Sequence, residues 1–194
     1  MSVLQRKSAA VTLLGAIALV LLASGSLLLQ RSAAQGALVD LSGTYALSTA
    51  SIESQLAARR AVIRRAVRSV DPSEELKWRA ALELMAVPEA RLRIARTAST
   101  LSVSRGTQPA LSSAVQGQAR TLNDGHRLAQ RIEGRALVQR IETSSMQGLE
   151  LTSPVVTTTR HTLSTDRSTL TVETRIEGGA LPQALIFQST YNRI

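Results

Sequence analysis

The sequence predicts a mainly β protein, an antiparallel sandwich or barrel, with a helical hairpin after its first strand and a hydrophobic helix at its N-terminus. Three observations predict it. From Glu89 onward apolar and polar residues alternate, the signature of half-buried strands. Turn signals break that alternation at regular spacing, with no helical stretch between them. Only residues 51–88 switch to a helical period.

At the N-terminus, "QRKSAAVTLLGAIALVLLASGSLLLQRSAAQ" places Arg6 and Lys7 ahead of an apolar run that meets no charge until Arg31. A basic start followed by an apolar segment is an export signal, and the positive-inside bias keeps its first residues cytoplasmic. Residues 8–30 are long enough to span the hydrocarbon core as a helix, which takes about 20 residues. Ala23-Ser24-Gly25 and Ser32-Ala33-Ala34 both offer the small residues signal peptidase needs. Residues 1–34 are therefore a cleaved signal peptide or a retained transmembrane signal anchor, and the membrane is the partner of this segment. Either fate puts the rest outside the cytoplasm: periplasmic, extracellular, or tethered to the inner membrane. Residues 35–39 read as a linker and 40–194 as a single domain.

The domain opens with "LSGTYALST" (41–49), in which Leu41, Gly43, Tyr45 and Leu47 share one face. A glycine on the face to be buried, two residues before an aromatic, requires an explanation. The period then changes. "SIESQLAARRAVIRRAVRSV" (51–70) repeats Ile52, Leu56, Ile63, Val67 and Val70 on one helical face, with Ser51 as N-cap. Arg59, Arg60, Arg64, Arg65 and Arg68 fill much of the remaining surface as a basic face. "DPSEELKWRAALELMAVP" (71–88) restarts with Asp71 as N-cap, Pro72 at the first helical position and Glu74 closing a capping box. Pro88 stops it, so 51–88 is a helical hairpin inserted into a β domain.

Beyond the hairpin, "RLRIART" and "TLSVSR" bury Leu92, Ile94, Leu101 and Val103. Asn123-Asp124-Gly125 signals a type I′ hairpin turn. "HRLAQRI" and "RALVQRIET" follow, separated by Glu133-Gly134, and "TTRHTLS" and "STLTVETRIE" flank a turn at Thr165-Asp166-Arg167. In the latter strand Leu170, Val172 and Ile176 face one way. In the closing strand Leu185, Phe187, Ser189, Tyr191 and Arg193 share a face, so a cation points with the apolar set and needs a partner such as an aromatic ring.

Here the chain resembles the lipocalin/calycin type of up-and-down barrel. That family opens with a Gly-x-Trp strand and packs an arginine from near the domain's end across the ring; the matching positions are Gly43, Tyr45 and Arg193. The chain also resembles a group of small secreted bacterial proteins with an "SGTW"-like opening and a "Y-x-R"-like ending, matched by Ser42 to Tyr45 and by Tyr191-Asn192-Arg193. Tyr replaces Trp at position 45, and the hairpin is an insertion. The resemblance covers 40–49 and 89–194 and implies a closed barrel whose floor is sealed by Tyr45 and Arg193, with Gly43 allowing a close approach.

Composition excludes several chemistries. With no cysteine there is no disulfide, thiol nucleophile or CxxC metal site. His126 and His161 are the two histidines; neither has a neighbour at metal-ligand spacing, and both read as exposed strand or turn residues. No G-x-S-x-G elbow, carboxylate pair or cofactor motif is present, so no enzyme and no cofactor is expected. Formal charge is +9; of the 23 basic residues, removing Arg6, Lys7 and Arg31 leaves 20 against 14 acidic ones, a moderate excess that does not call for nucleic acid. Two functions remain. One is an exported barrel binding an apolar or amphipathic small molecule or lipid, lined by Leu92, Ile94, Leu101, Val103, Leu170, Val172 and Phe187. The other is a tethered structural domain whose basic hairpin docks a protein partner or an anionic surface.

Overall fold

Each alternating segment forms a strand and each strand pairs with the next one in sequence. The computed structural model describes residues 39–49, 52–115, 117–146, 149, 151 and 153–194; the expected signal or anchor (1–34), most of the linker and Ser51 lie outside them. The strands are β1 (Gly43–Leu47), β2 (Arg91–Arg96), β3 (Thr100–Arg105), β4 (Leu111–Ala114), β5 (Arg120–Thr121), β6 (Arg127–Glu133), β7 (Ala136–Thr143), β8 (Val155–Leu163), β9 (Thr169–Gly178) and β10 (Leu185–Arg193). Between β1 and β2 lie α1 (Ile52–Val67) and α2 (Glu75–Ala86).

The sheet order is β4-β3-β2-β1-β10-β9-β8-β7-β6-β5, antiparallel throughout. The first and last strands therefore pair, and the ring lacks one ladder, from β4 to β5. Side chains bridge that gap. Ser113 Oγ on β4 donates to Gln130 Oε1 on β6 at 2.9 Å, and Gln130 Nε2 donates to the Leu111 carbonyl at 3.4 Å. The result is a nearly closed up-and-down barrel. The sequence marks eight of its strands; β4 and β5 carry no legible alternation because one is "LSSA" and the other has two residues.

The turn at Asp124 differs from the expected geometry, and the expected turn at Asp166 forms. Gly125 has φ +81°, whereas Asp124 is not among the residues with positive φ, so the turn is not type I′. The Gly125 N–H donates to the Leu122 carbonyl (3.0 Å), which gives an ordinary turn followed by one left-handed glycine. Arg167, at φ 60°, plays the same part after Asp166, whose carboxylate accepts from the Ser164 and Ser168 hydroxyls at 2.5 and 2.6 Å.

The hairpin packs its apolar face onto one end of the barrel. Ile63, Val67 and Val70 from α1 and its end, with Trp78 and Leu82 from α2, form one core with Val155, Ile176, Leu185 and Phe187 of the strands. Trp78 sits against the β9–β10 turn, where a Cβ on Gly179 would lie 2.3 Å from its Cη2. The expected capping box does not form: α2 begins at Glu75, Asp71 Oδ1 accepts from Ser73 N and Oγ (2.8 and 2.6 Å), and Glu74 instead binds Lys77 Nζ at 2.9 Å. Asp71 thus closes the turn before the helix, three residues ahead of the N-cap position at Glu74. At the other end, Leu41, Tyr45, Ile94, Leu101, Val103, Leu163, Leu170 and Tyr191 form a second core.

Candidate functional site

Pairing register makes the barrel interior a stack of cross-strand rows. Leu128, Ile141, Thr157, Ile176 and Leu185 form a row near the helices. The next row is Gln130, Gln139, Thr159, Thr174 and Phe187, and the one after it Ile132, Leu137, His161, Val172 and Ser189. Gln130, Gln139, Thr159, His161 and Ser189 are all buried. A polar layer therefore separates the two apolar cores.

Two arginines enter this layer. Arg105, at the end of β3, donates from Nη2 to Gln139 Oε1 (2.6 Å) and Thr159 Oγ1 (3.3 Å). Arg59 enters from α1 and is 8% exposed, which corrects its assignment to the solvent-facing basic set. It follows Leu56 by three residues and precedes Ile63 by four, so the helix period puts it on the packed face. Its guanidinium binds the Ala86 carbonyl at the C-terminus of α2, the Gln188 carbonyl (2.6 Å) and Ser189 Oγ (2.6 Å), and lies over the Phe187 ring at 5.5 Å. Terminal helix carbonyls have no partner within their own helix, and a buried cation needs acceptors; each solves the other's problem. Arg60, Arg64, Arg65 and Arg68 stay exposed.

Burial depresses the pKa of both Arg59 and Arg105. It pushes the Tyr191 hydroxyl up to about 12, although Arg105 and Arg59 oppose the shift. His161 is fully buried rather than exposed, correcting the sequence expectation. Burial, reinforced by the charge of Arg105, holds it down to about 3, so the ring is neutral. Its Nδ1 faces the Leu137 carbonyl at 3.4 Å, which makes Nδ1 the protonated nitrogen and leaves Nε2 an acceptor. His161 Nε2 and Gln139 Nε2 are buried with no hydrogen-bond partner among the described residues.

Two spaces meet here. A cavity of about 40 Å³ is lined by Arg59, Arg105, Glu89, His161, Thr159, Ser189 and Tyr191, with Leu92 and Val172 beside them and Ala86 to Pro88 as its cover. A groove of about 330 Å³ between α1 and α2 is lined by Leu56, Ile63, Ala80, Leu84, Ala86 and Val87, with Arg59, Arg60 and Glu83 at its edges. Arg59, Ala86 and Val87 belong to both linings.

The other residues singled out by sequence fall as follows. Ile94, Leu101, Val103 and Leu170 pack into the far core with Tyr45, while Phe187 joins the core under the helices. Gly43, Tyr45 and Arg193 meet at the barrel's far end: Tyr45 and Arg193 are ladder partners, with the guanidinium 6.0 Å from the ring centroid. Arg193 is exposed, not buried, because it is the last residue of its strand. His126 stands apart, 3.6 Å from Asp124 in the β5–β6 turn. Sequence reasoning missed Arg105, Gln139 and Thr159, yet each sits at an inward position of an alternating strand, where a polar side chain is itself a signal. Among the described residues no group of three His, Cys, Asp or Glu could hold a metal ion. No known family matches the chain, and no curated protein matches it.

Proposed function

We propose that this protein is a non-enzymatic binding module: an exported, envelope-associated barrel of lipocalin-like type that takes an amphipathic small molecule beneath its helical hairpin. The observation that carries the reading is that the apolar interhelical groove and the polar cavity lie on either side of a common wall, Arg59, Ala86 and Val87. Small-molecule sites occupy roughly 300–1,000 Å³ and are mostly apolar with a few convergent polar groups, which describes the two spaces taken together. The far part of the barrel is filled by its own side chains, so the ligand sits at the helical end and not along the axis. The ring of sequential strands and the Arg193–Tyr45 contact support the lipocalin-like assignment. Native mass spectrometry of the full chain purified from its own membrane fraction tests the reading. A carried amphiphile that is lost when Leu84→Glu blocks the groove supports it; a chain without adduct at every purification step, together with no added amphiphile binding, overturns it.

A second reading rests on the hairpin's outer surface. Leu76, Leu84 and Val87 are 66%, 80% and 53% exposed, beside the exposed Arg60, Arg64, Arg65 and Arg68. Such a surface suits an anionic membrane face. Binding to anionic vesicles that falls steeply with salt favours this reading, since the Debye length is about 8 Å at physiological ionic strength.

A further inference from the structure

We propose that the exposed face of α2 is the contact through which two copies of this chain associate, their α2 helices packed antiparallel about a two-fold axis that passes Ala80. The inference is independent of any ligand held beneath the hairpin.

The apolar pattern is the first argument. Leu76, Ala80 and Leu84 recur every four residues along α2 and all three are exposed, while Trp78 and Leu82 bury the opposite side of the same helix. α2 therefore carries a second apolar face, and exposed apolar side chains rimmed by charge mark association sites. The stripe has a leucine four residues on either side of an alanine, so it reads the same in both directions. Reversing one helix against another sets Leu84 beside Leu76 of the second copy, twice over. The two alanines lie between, where small side chains let helix axes approach to about 8–10 Å. Such a self-complementary patch is what a two-fold interface requires.

Shape is the second argument. The interhelical groove borders the stripe on one side. On the other, a groove of about 580 Å³ runs between α2 and the β5–β6 turn, lined by Lys77, Ala81, Met85, His126 and Met146. Ala80 and Leu84 line both grooves. A ridge between two grooves is the surface that packed helices interlock.

Charge is the third. Arg79 and Glu83 are one helical turn apart, so both stand on the flank nearer α1, where Glu83 lines the interhelical groove. Among the described residues neither forms an ion pair. Within one chain the base would precede the acid, the less favourable order along a helix. An antiparallel two-fold pairing puts like flanks together with their directions reversed, so Glu83 of each copy meets Arg79 of the other. Lys77, on the opposite flank, keeps its own Glu74 at 2.9 Å. These features favour a second copy over a lipid surface. An anionic bilayer repels Glu83, and the centre of the stripe is a notch at Ala80, which suits a facing helix better than insertion.

The chain has no cysteine, so single introduced cysteines report the contact without background. The test oxidises full-chain variants with copper–phenanthroline in their own membrane fraction and reads disulfide-linked dimer on non-reducing gels. Ala80→Cys should link to itself roughly tenfold more than Thr190→Cys, which is exposed on β10. Leu76→Cys and Leu84→Cys should each link poorly alone. The two-fold sets like positions about 12 Å apart along the axis, beyond the roughly 7 Å that a disulfide spans between Cα atoms. Produced together under different tags, those two variants should give roughly tenfold more linked dimer than either alone. Glu83→Arg should lower Ala80→Cys linking severalfold, and adding Arg79→Glu should restore it. Equal linking at positions 80 and 190 overturns the association and leaves the stripe to the membrane face. Efficient self-linking at position 76 or 84 overturns the antiparallel arrangement, and linking insensitive to Glu83→Arg overturns the charge pairing.

Discussion

Arg193 covers the space where Gly43 has no side chain. A Cβ built on Gly43 would stand 3.1 Å from Arg193 Nε and 3.4 Å from its Cζ, while the same guanidinium lies 6.0 Å from the Tyr45 ring and donates to the Ser42 carbonyl at 2.7 Å. The glycine on the apolar face of β1 is thus explained by an arginine from the last strand, brought there because β1 pairs with β10.

This contact predicts a sign reversal. An exposed cation–π contact is worth roughly 0.5–1 kcal/mol and one hydrogen bond about as much, so Arg193→Ala should cost about 1–2 kcal/mol. Gly43→Ala should destabilise the wild-type chain by pushing the guanidinium aside. In the Arg193→Ala background the same change should stabilise, because alanine in a strand is better than glycine by about 0.5–1 kcal/mol. A double-mutant cycle from urea unfolding measures the coupling; strictly additive effects would show that the two residues do not interact.

Arg59 ties the hairpin to the barrel. Arg59→Met keeps the stem but leaves the Ala86 and Gln188 carbonyls and the Ser189 hydroxyl without their donor. The contacts to Ala86 and Ser189 are buried, and each unsatisfied buried group costs about 1–3 kcal/mol, so a loss of roughly 2–6 kcal/mol is expected. Arg60→Met and Arg64→Met, at exposed positions, should stay within about 0.5 kcal/mol of wild type. Equal effects at 59 and 60 would contradict the strut.

What the sequence made legible follows from how each feature is encoded. Helical period and two-residue alternation are local, so the hairpin and eight strands could be read from neighbours alone. The Tyr45–Arg193 meeting could be anticipated only because a resemblance supplied a long-range pair. The polar layer was not read, since Gln139, Thr159 and His161 become a cluster only when register sets their strands side by side. Arg59 was legible in principle: its spacing from Leu56 and Ile63 places it on the packed face, and the run of arginines around it concealed that. The missed capping box has a different cause. Asp71 has the right identity, but its hydrogen bonds to Ser73 compete with the helix start.

Trp78 and Gly179 should prove an intolerant pair. Gly179 has φ +61°, and an added Cβ would fall 2.3 Å from Trp78 Cη2 and 3.0 Å from Val155 Cγ2. Gly179→Ala therefore combines a left-handed backbone penalty with overpacking, roughly 2–4 kcal/mol in total. Trp78 is the only tryptophan and is 1% exposed, so its fluorescence reports the damage directly. A red-shifted emission at neutral pH is expected for the variant. Unchanged emission and stability would mean that the indole does not rest on the glycine.

The buried histidine gives stability a pH dependence whose upper part, above about pH 4.5, lies clear of the hydrogen-bonded carboxylates. His161 titrates at about 3 when folded against 6.5 when unfolded. Between those values the unfolded chain binds a proton that the folded chain refuses, so lowering the pH favours unfolding. The stabilisation is complete above about pH 6.5 and declines by at most about 1.4 kcal/mol per pH unit as pH falls toward 3. Carboxylates act lower. Hydrogen bonds hold Glu133 below its ordinary 4.5 and Asp40 and Asp71 below 3.8, and they lower Asp166 from 3.8 to about 2. Their contribution therefore fades only below about pH 4.5. Urea midpoints followed by Trp78 fluorescence at pH 7, 6, 5.5 and 5 isolate the histidine. The wild-type midpoint should fall steadily across that series, and His161→Leu should flatten it while leaving the decline below pH 4.5 in place. If the slope persists in His161→Leu, the neutral buried ring cannot be the source of the acid sensitivity.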